Sequence, residues 1–347
     1  MIERIWFGSS TADRAARTVL APAERIFAAV SGLRMLLYDA GWLKSDRAVV
    51  PTISVGNLTV GGTGKTPISA WIAAWLGEHG AKPAIVLRGY GDDEPDVHRV
   101  LNPAIDVIVD ADRVRGAATA ASRGADVVVL DDAFQHRRLA KTADIVLISA
   151  DAWSGEPRLL PAGPWREPIV AVRRADLVIV TRKAASHEAV DAVSEALSSV
   201  APRIPRVSVH LAPGDLRSVV GDERIPIESL RGERIRVVAA VGDPTAFLRQ
   251  LEAAGAIVVP TIFPDHHAFS ASDVRRVLKG SRPVDRVICT LKDAVKLAKI
   301  WPHEAPRLWY VSQRVIVERG VGGIEQLLTA VLESRDAQHT TTPSGTV

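Results

Sequence analysis

The clearest chemical signal in the sequence is a glycine-rich loop that follows a short apolar run and precedes a helical pattern. It reads Gly56-Asn-Leu-Thr-Val-Gly-Gly-Thr-Gly-Lys-Thr66. Glycines let backbone N–H groups converge on phosphate oxygens, and the start of a helix adds a favourable dipole. Lys65 would reach the β- and γ-phosphates, and the Thr66 hydroxyl would coordinate magnesium. The loop predicts a nucleotide phosphate site formed by Gly61, Gly62, Thr63, Gly64, Lys65 and Thr66.

One position of this loop departs from the usual eight-residue pattern, because Thr59 stands where a glycine is common. The remaining glycines still permit a tight turn. An ordinary glycine-rich turn is the alternative interpretation. The flanking strand and helix favour the phosphate site.

A second signal is an acidic pair that ends an apolar strand, in Val127-Val-Val-Leu-Asp-Asp-Ala-Phe-Gln-His136. Nucleotide-binding sheets present a carboxylate to magnesium in this way. Successive side chains of a strand point in different directions. We therefore expect Asp131 to bind magnesium and Asp132 to orient the metal or contact substrate. A helix cap or a turn is the alternative.

The tripeptide Asp265-His-His267 invites a zinc interpretation, since histidine and aspartate both bind zinc. No further histidine or cysteine at ligand spacing supports it. The single Cys289 also excludes a disulfide framework, and its apolar neighbours predict a buried thiol.

The elements that position these residues are alternating strands and helices, which predict an α/β fold. The strands are continuous apolar runs, typical of a mostly parallel sheet that is covered on both faces. A loop rich in proline, glycine and tryptophan separates two such series. We expect two α/β/α domains, residues 46–152 with the phosphate loop and residues 176–335, joined by a junction at 153–175. Residues 336–347 are polar and predict a disordered tail.

The N-terminal segment 1–45 carries an amphipathic pattern. Within residues 22–41, Pro22 suits a helix start and Gly41 a helix end. The apolar positions recur at helical spacing, with three further residues that widen the stripe: Ile26, Val30, Leu33 and Leu37, with Phe27, Leu36 and Tyr38. The periodicity alone favours a helix that packs on its own core, and the alternative is a helix that lies on lipid.

Composition limits the partners. The 347 residues carry a net charge of +3 without a block of five basic residues, so nucleic acid is not an expected partner. There is no run of 18 apolar residues, so we expect no transmembrane helix. The N-terminus also lacks a signal-peptide pattern.

Together the motifs resemble the tetraacyldisaccharide 4'-kinase family over residues 51–296. The resemblance rests on segments whose order and spacing are specific: residues 55–67, Arg88-Gly-Tyr90, Asp93-Glu-Pro95, Asp112-Arg113, Asp131-Asp-Ala-Phe-Gln-His136, residues 160–168, Phe263-Pro-Asp-His-His267 and Thr290-Leu-Lys-Asp-Ala-Val-Lys296. The chain departs from the family pattern in three ways. The Arg-Gly-Tyr and Asp-Glu-Pro elements are nearly fused, Ala133 replaces a glycine, and Leu291 replaces a glutamate.

The resemblance implies transfer of the γ-phosphate of ATP, with magnesium, to the 4'-hydroxyl of a tetraacylated disaccharide 1-phosphate, giving lipid IVA. It implies that Asp93 is the base for the sugar hydroxyl, with His266 as its partner, and that Lys65 and Asp132 also act in catalysis. The implied substrate contacts are Glu94, Arg88, Asp131, Gln135, Arg166 and Glu167. Arg113 and Arg173 are further candidates for the 1-phosphate, each with a surface salt bridge as the alternative.

The resemblance also implies a peripheral enzyme at the cytoplasmic face of the inner membrane, without an obligate protein partner. A substrate with four acyl chains stays in the bilayer, so the lipid-facing interpretation of the N-terminal helix then becomes the better one.

Three other classes of protein compete with a kinase. A switch or partitioning ATPase has a related loop, but usually carries a lysine where this chain has Val60. A GTPase would need an Asn-Lys-x-Asp motif, which is absent from the sequence. A non-catalytic metal-binding protein is the remaining class, and metal analysis distinguishes it.

Overall fold

A single large β-sheet forms the frame of the protein. The computed structural model describes residues 2–8, 10–89, 93–279 and 286–341, so Tyr90 and residues 342–347 of the predicted tail lie outside the described residues. The strands of the described residues are β1 Asp46–Arg47, β2 Thr52–Asn57, β3 Pro83–Leu87, β4 Asp106–Val109, β5 Val127–Asp131, β6 Leu139–Ala140, β7 Ala143–Ser149, β8 Leu177–Arg182, β9 Arg206–Ser218, β10 Arg224–Ile225, β11 Arg234–Ala239, β12 Ile257–Ile262, β13 Arg286–Thr290 and β14 Leu308–Arg319. The helices are α1 Ile2–Phe7, α2 Thr11–Asp39, α3 Lys65–Glu78, α4 Glu94–Leu101, α5 Arg113–Ser122, α6 His187–Val200, α7 Pro244–Ala253, α8 Ala271–Lys279, α9 Leu291–Leu297 and α10 Val321–Thr341. Two 3-10 helices span Ile169–Arg174 and Ile227–Leu230.

The sheet has the strand order β12-β11-β13-β14-β9-β8-β7-β2-β5-β3-β4. The strands β8-β7-β2-β5-β3-β4 form one half of the sheet, called the first half because it begins earlier in the sequence, and they are parallel throughout. The second half, β12-β11-β13-β14, is also parallel. The long strands β9 and β14 pair antiparallel and join the halves. The predicted α/β class with mostly parallel strands is confirmed, and the two expected sheets are continuous with each other.

The pairing of β8 bears on the predicted domain division. The sequence assigned residues 176–182 to the second domain, but Ile145 of β7 is in register with Leu177 of β8. The strand therefore extends the sheet of the first half. The division into 46–152, 153–175 and 176–335 stays a prediction. The hydrogen bonds of β8 place this strand beside β7, which belongs to the first predicted domain.

Helices cover both faces of the first half. All five residues of β5 are buried, as its continuous apolar run predicts. On one face α3 and the C-terminal helix α10 contribute to the same hydrophobic core, which contains Ile68, Ile72, Ile324 and Leu328. Helix α10 continues to Thr341, so residues 336–341 of the predicted tail are helical in the structure.

The N-terminal helix α2 starts earlier than predicted. Ser10 and Asp13 form a capping box, with 3.1 Å between each backbone nitrogen and the partner's side-chain oxygen. Pro22 consequently lies inside the helix instead of at its first turn. Because proline lacks an N–H, one intrahelical hydrogen bond is forgone there.

The predicted apolar stripe of α2 divides into two sides. Phe27 packs against a core that contains Trp165 and Val178. Ile26 is 67% exposed and Leu33 is 58% exposed. The grouping of Phe27 with the lipid-facing residues was therefore wrong, because adjacent residues of a helix point about 100° apart. None of the described helices is long and apolar enough to cross a bilayer.

Candidate active site

The phosphate loop joins β2 to α3 at the carboxyl edge of the sheet. Gly61 and Gly64 have positive φ angles of 112° and 92°, which only glycine adopts without strain. A side chain at Gly64 would also collide with Leu211. Lys65 and Thr66 begin α3, so the backbone N–H groups of its first turn face the edge where phosphates would bind.

Neighbouring side chains hold this loop in one conformation. Asn57 Nδ2 donates to the Thr63 hydroxyl at 2.8 Å, and the Thr181 hydroxyl donates to the Thr63 carbonyl at 2.8 Å. Lys183 Nζ donates to the Gly62 carbonyl at 2.8 Å, and it lies 3.9 Å from Asp243 Oδ2 in the second half. The sequence did not identify Lys183, because it follows a strand that is remote in sequence from the loop.

Lys65 and Asp132 face each other beside the loop. Their Nζ and Oδ1 atoms are 3.9 Å apart, and Arg166 donates to both carboxylate oxygens of Asp132 at 2.9 and 3.3 Å. Burial lowers the pKa of Lys65, and the charge of Asp132 offsets only part of this effect. Burial alone would raise the pKa of Asp132, but Lys65 and Arg166 together hold it below its usual range.

Asp131 is more enclosed than its neighbour. The Ser69 hydroxyl donates to Oδ1 at 3.2 Å, and His98 Nε2 lies 2.9 Å from Oδ2. Both His98 and Asp131 are buried. The sequence missed His98, which lies on α4 and carries no motif of its own. Because each carboxylate oxygen has two lone pairs, Asp131 retains acceptor capacity toward a metal, and its predicted role stays a prediction.

The predicted base lies at the start of α4 and faces the second half. Asp93 is 3% exposed, and its Oδ1 lies 4.0 Å from His266 Nδ1. Its Oδ2 has no hydrogen-bond donor among the described residues, yet lies 3.9 Å from Lys292 Nζ and 3.8 Å from Lys296 Nζ. The structure thus brings the two predicted residues together and adds two lysines of α9, for which no role was predicted.

Glu94, the next residue, interacts with charges on both sides: Asp131 and Lys65 beside the phosphate loop, and Asp93 and Lys292 where the two halves meet. Burial and the neighbouring Asp131 raise its pKa to about 7, although Lys292 and Lys65 act in the opposite direction. Glu94 therefore changes charge close to neutral pH. The raised pKa makes Glu94 a candidate functional residue, because carboxylates with strongly perturbed pKa values are concentrated at functional sites.

The remaining residues that were predicted to contact substrate differ in exposure and in their hydrogen-bond partners. Arg88 is exposed at the end of β3, whereas Gln135 Nε2 donates to the Asn57 carbonyl at 2.9 Å. Glu167 is buried, and one of its carboxylate oxygens accepts from Arg174 at 2.7 Å. Two other candidate arginines are held by backbone carbonyls: Arg113 by Asp110 and Asp131, and Arg173 by Val200.

Magnesium and zinc make different demands on these residues. Among the described residues, no group of three or more His, Cys, Asp and Glu side chains could hold a metal alone. His267 lies 3.1 Å from Asp273 and stacks on Phe263, so its ring belongs to the packing of this turn. Magnesium takes one or two protein oxygens together with phosphates and waters. The oxygens of Thr66 and Asp132 beside the phosphate loop fit that demand.

Comparison with known proteins identifies similar chains. A family model described as tetraacyldisaccharide-1-P 4'-kinase matches residues 16–106 and 93–333. A tetraacyldisaccharide 4'-kinase of Anaeromyxobacter sp. (strain Fw109-5) is 37% identical over 365 aligned positions, which cover 97% of this chain and 98% of the relative. The tetraacyldisaccharide 4'-kinase of Halorhodospira halophila (strain DSM 244 / SL1) is 39% identical over 311 positions, 84% of this chain and 86% of the relative. A crystal structure of the "apo" form of LpxK from Aquifex aeolicus in complex with ATP is similar with a TM-score of 0.71 and 26% identity, over 91% of this chain and 99% of that chain.

Proposed function

Because this chain belongs to the tetraacyldisaccharide 4'-kinase family, we propose how its residues carry out phosphoryl transfer. The chain is an ATP-dependent kinase of lipid A biosynthesis, which transfers the γ-phosphate of ATP to the 4'-hydroxyl of tetraacyldisaccharide 1-phosphate. The observation that supports the assignment of roles is the position of Asp93. It is a buried carboxylate at the face of the first half that meets the second half, with one oxygen that lacks a hydrogen-bond donor among the described residues.

The phosphate loop binds the nucleotide. Its backbone N–H groups and the Lys65 ammonium bind the phosphates, and the bracing of the loop by Asn57, Thr181 and Lys183 keeps these donors in place before ATP arrives. A site whose donors need no rearrangement stabilises the charge of the transition state most strongly. Thr66 and Asp132, in place of the Asp131 that the sequence predicts, would hold magnesium, and the ion would supply charge neutralisation on the phosphates.

Asp93 acts on the acceptor. A sugar hydroxyl becomes a better nucleophile when a carboxylate accepts its proton as the new bond forms. Asp93 takes this proton, and His266 orients the carboxylate from the second half at 4.0 Å. Such hydrogen bonds are often long without substrate and tighten in the reactive complex.

The anionic acceptor also needs cationic partners. Arg88 is exposed at the end of β3, and an arginine fork matches phosphate geometry. Arg166 donates to Asp132 and lies beside the phosphate loop, so it positions the Asp132 carboxylate and lines the cleft between nucleotide and acceptor. Glu167 accepts from Arg174 within the junction loop that carries Arg166, and this pair stabilises the loop.

The N-terminal helix α2 brings the enzyme to its lipid substrate. Five large apolar residues of α2 are more than half exposed: Val19, Ile26, Val30, Leu33 and Leu36. Partial burial of such side chains in a bilayer contributes about 1 kcal/mol or more each, which suits reversible association. Arg25 and Arg34 add roughly 1 kcal/mol each near anionic lipid. The enzyme therefore works peripherally, at the cytoplasmic face of the inner membrane.

The junction loop connects this helix with the active site. The Leu159 N–H donates to Glu24 of α2 at 2.7 Å, and the Arg166 N–H donates to the Leu58 carbonyl at 2.7 Å. One loop thus contacts both the lipid-facing helix and the segment before the phosphate loop. This arrangement supports an acceptor that enters from the membrane side.

A phosphate-transfer assay tests the assignment. Radiolabelled ATP and purified tetraacyldisaccharide 1-phosphate in detergent micelles should give a labelled lipid product, and GTP should be a poorer donor. Asp93→Asn should abolish most transfer while ATP still binds. Full transfer by Asp93→Asn would overturn the role of Asp93 as the base.

A further inference from the structure

Lys292, on the first turn of α9, contacts both members of the pair that the proposed function assigns to proton transfer. Its Nζ lies 3.3 Å from His266 Nε2 and 3.9 Å from Asp93 Oδ2. It belongs to the segment Thr290-Leu-Lys-Asp-Ala-Val-Lys296, which carries the family resemblance without a role. This contact has a consequence for the imidazole, because the two ring nitrogens of histidine are not equivalent.

A lysine ammonium has three N–H donors and no acceptor. The imidazole nitrogen that faces it must therefore accept, so the proton of a neutral His266 ring lies on the other nitrogen, Nδ1. That nitrogen is the one nearest to Asp93, with Oδ1 at 4.0 Å. Lys292 thus selects the tautomer in which His266 presents an N–H to the carboxylate.

Acidic groups also lie near His266 and Asp93. Asp265 Oδ2 lies 3.9 Å from His266 Nε2 and would favour the opposite tautomer, but Lys292 is nearer by more than half an ångström. Asp265 is also engaged elsewhere, because its Oδ1 accepts the backbone N–H of His266 at 3.0 Å. Among the described residues, Glu94 is a further acidic neighbour of Asp93.

Lys296 differs from Lys292 although both approach Asp93. Its Nζ lies 3.5 Å from the buried Asp293, donates to the His267 carbonyl at 3.2 Å, and lies over the Phe269 ring. These contacts fix Lys296 within the second half. Among the described residues, the shortest polar contact of Lys292 is with the ring of His266.

We propose that Lys292 is a positioning residue of the kinase, which holds Nε2 of His266 as an acceptor and directs the Nδ1–H toward Asp93. The inference rests on the proposed function, in which Asp93 is the base. His266 then orients the carboxylate and does not remove the proton itself through Nε2. Since α9 and His266 belong to the same half, Lys292 sets the tautomer within the second half, and the Nδ1–H meets Asp93 when the two halves are together.

The tautomer can be observed directly. In protein with ¹⁵N-labelled histidine, couplings between ring nitrogens and ring C–H protons show which nitrogen carries the proton. The chain has 9 histidines, and a difference spectrum with His266→Gln assigns the signal of His266. We expect a protonated Nδ1 in the wild-type enzyme and a shift toward Nε2–H in Lys292→Met. A wild-type His266 protonated at Nε2 would overturn the inference.

Kinetics provides the second readout. Lys292→Met should lower kcat by about 10- to 100-fold, the range found when a partner that orients a functional histidine is lost, while KM for ATP changes by less than about twofold. Lys292→Arg should restore most of kcat, because arginine is also only a donor. The matched control is Lys299→Met, which removes a lysine that pairs with Asp96 across the halves without contact to His266. It should stay near wild-type kcat.

The outcomes separate this inference from the proposed function. If Asp93→Asn is inactive but Lys292→Met has a normal kcat, only the role of Lys292 fails. If Asp93→Asn is fully active, the assignment of the base fails, whatever Lys292 does. The wild-type spectrum decides the tautomer even if Lys292→Met is unstable.

Discussion

Asp93 and His266 approach each other to 4.0 Å from opposite halves of the sheet. Asp93 starts a helix of the nucleotide-binding half, and His266 follows β12 at the far edge of the sheet, with a left-handed φ of 57°. Such a backbone conformation is uncommon outside glycine and is maintained by surrounding contacts. The proposed proton acceptor is therefore completed by a residue that the other half supplies.

This relationship predicts coupled defects. Asp93→Asn should lower kcat by about 10²- to 10⁴-fold, the usual contribution of a positioned proton acceptor, and His266→Gln should cost less. The double mutant should be more active than the product of the two effects predicts, because residues that act as a unit are not additive. The measurement is the single-turnover rate of the wild type, the two single variants and the double variant. Independent, multiplicative defects would show that the two residues do not cooperate.

Lys65 should dominate the nucleotide side. Lys65→Met keeps much of the side-chain volume but removes the charge near the transferring phosphate, so kcat should fall by at least about 10²- to 10³-fold. The melting temperature should stay close to wild type, because Asp132 keeps its bonds with Arg166. Turnover close to wild type in a folded variant would remove the basis of the phosphate-loop assignment.

The two strand-end aspartates should differ in their magnesium dependence. Asp132 is 39% exposed beside Lys65, whereas the oxygens of Asp131 are bonded to Ser69 and His98. Asp132→Asn should raise the magnesium concentration for half-maximal rate more than Asp131→Asn does. Asp131→Asn should instead lower the melting temperature more, since it disturbs a buried hydrogen-bond network. The reverse ranking would restore Asp131 as the direct ligand that the sequence predicts.

Glu94 should make stability depend on pH. Burial and Asp131 raise its pKa to about 7 from an ordinary value of 4.5, so the folded state binds a proton that the unfolded state releases. Its contribution is fully present below pH 4.5 and is lost as pH rises through 7. Without ligands, the melting temperature of wild type should therefore fall relative to Glu94→Gln across this window. Parallel melting curves for both proteins would contradict the raised pKa.

The two sides of α2 should respond differently to charge. Leu33→Asp with Leu36→Asp changes exposed residues, so it should move the protein from anionic vesicles to the supernatant without changing the melting temperature. Phe27→Asp is the matched contrast, because it places a charge against the core and should lower the melting temperature. Sedimentation with vesicles and thermal unfolding measure the two effects. If the double variant sediments with vesicles as fully as the wild type, the exposed apolar residues of α2 do not bind lipid.

Local patterns were sufficient for the fold class and the phosphate loop. Continuous apolar strands followed by helices predict a parallel α/β sheet, and the glycines that the loop needs at positive φ are visible as residue types. The strand-end position of Asp131 follows from the same pattern. Each of these features depends on residues that are close in sequence, and a short segment therefore encodes them.

Features that join remote segments depended on tertiary structure. The bond between His98 and Asp131, the brace from Lys183 to the phosphate loop and the approach of Lys292 to His266 all join different elements. Similarly, the amphipathic period of α2 could not show that Phe27 faces the core while Ile26 faces outward. Periodicity fixes the spacing of side chains along one element. Which elements meet is decided by strand order and by the antiparallel pairing of β9 with β14, because only these bring the two halves of the site together.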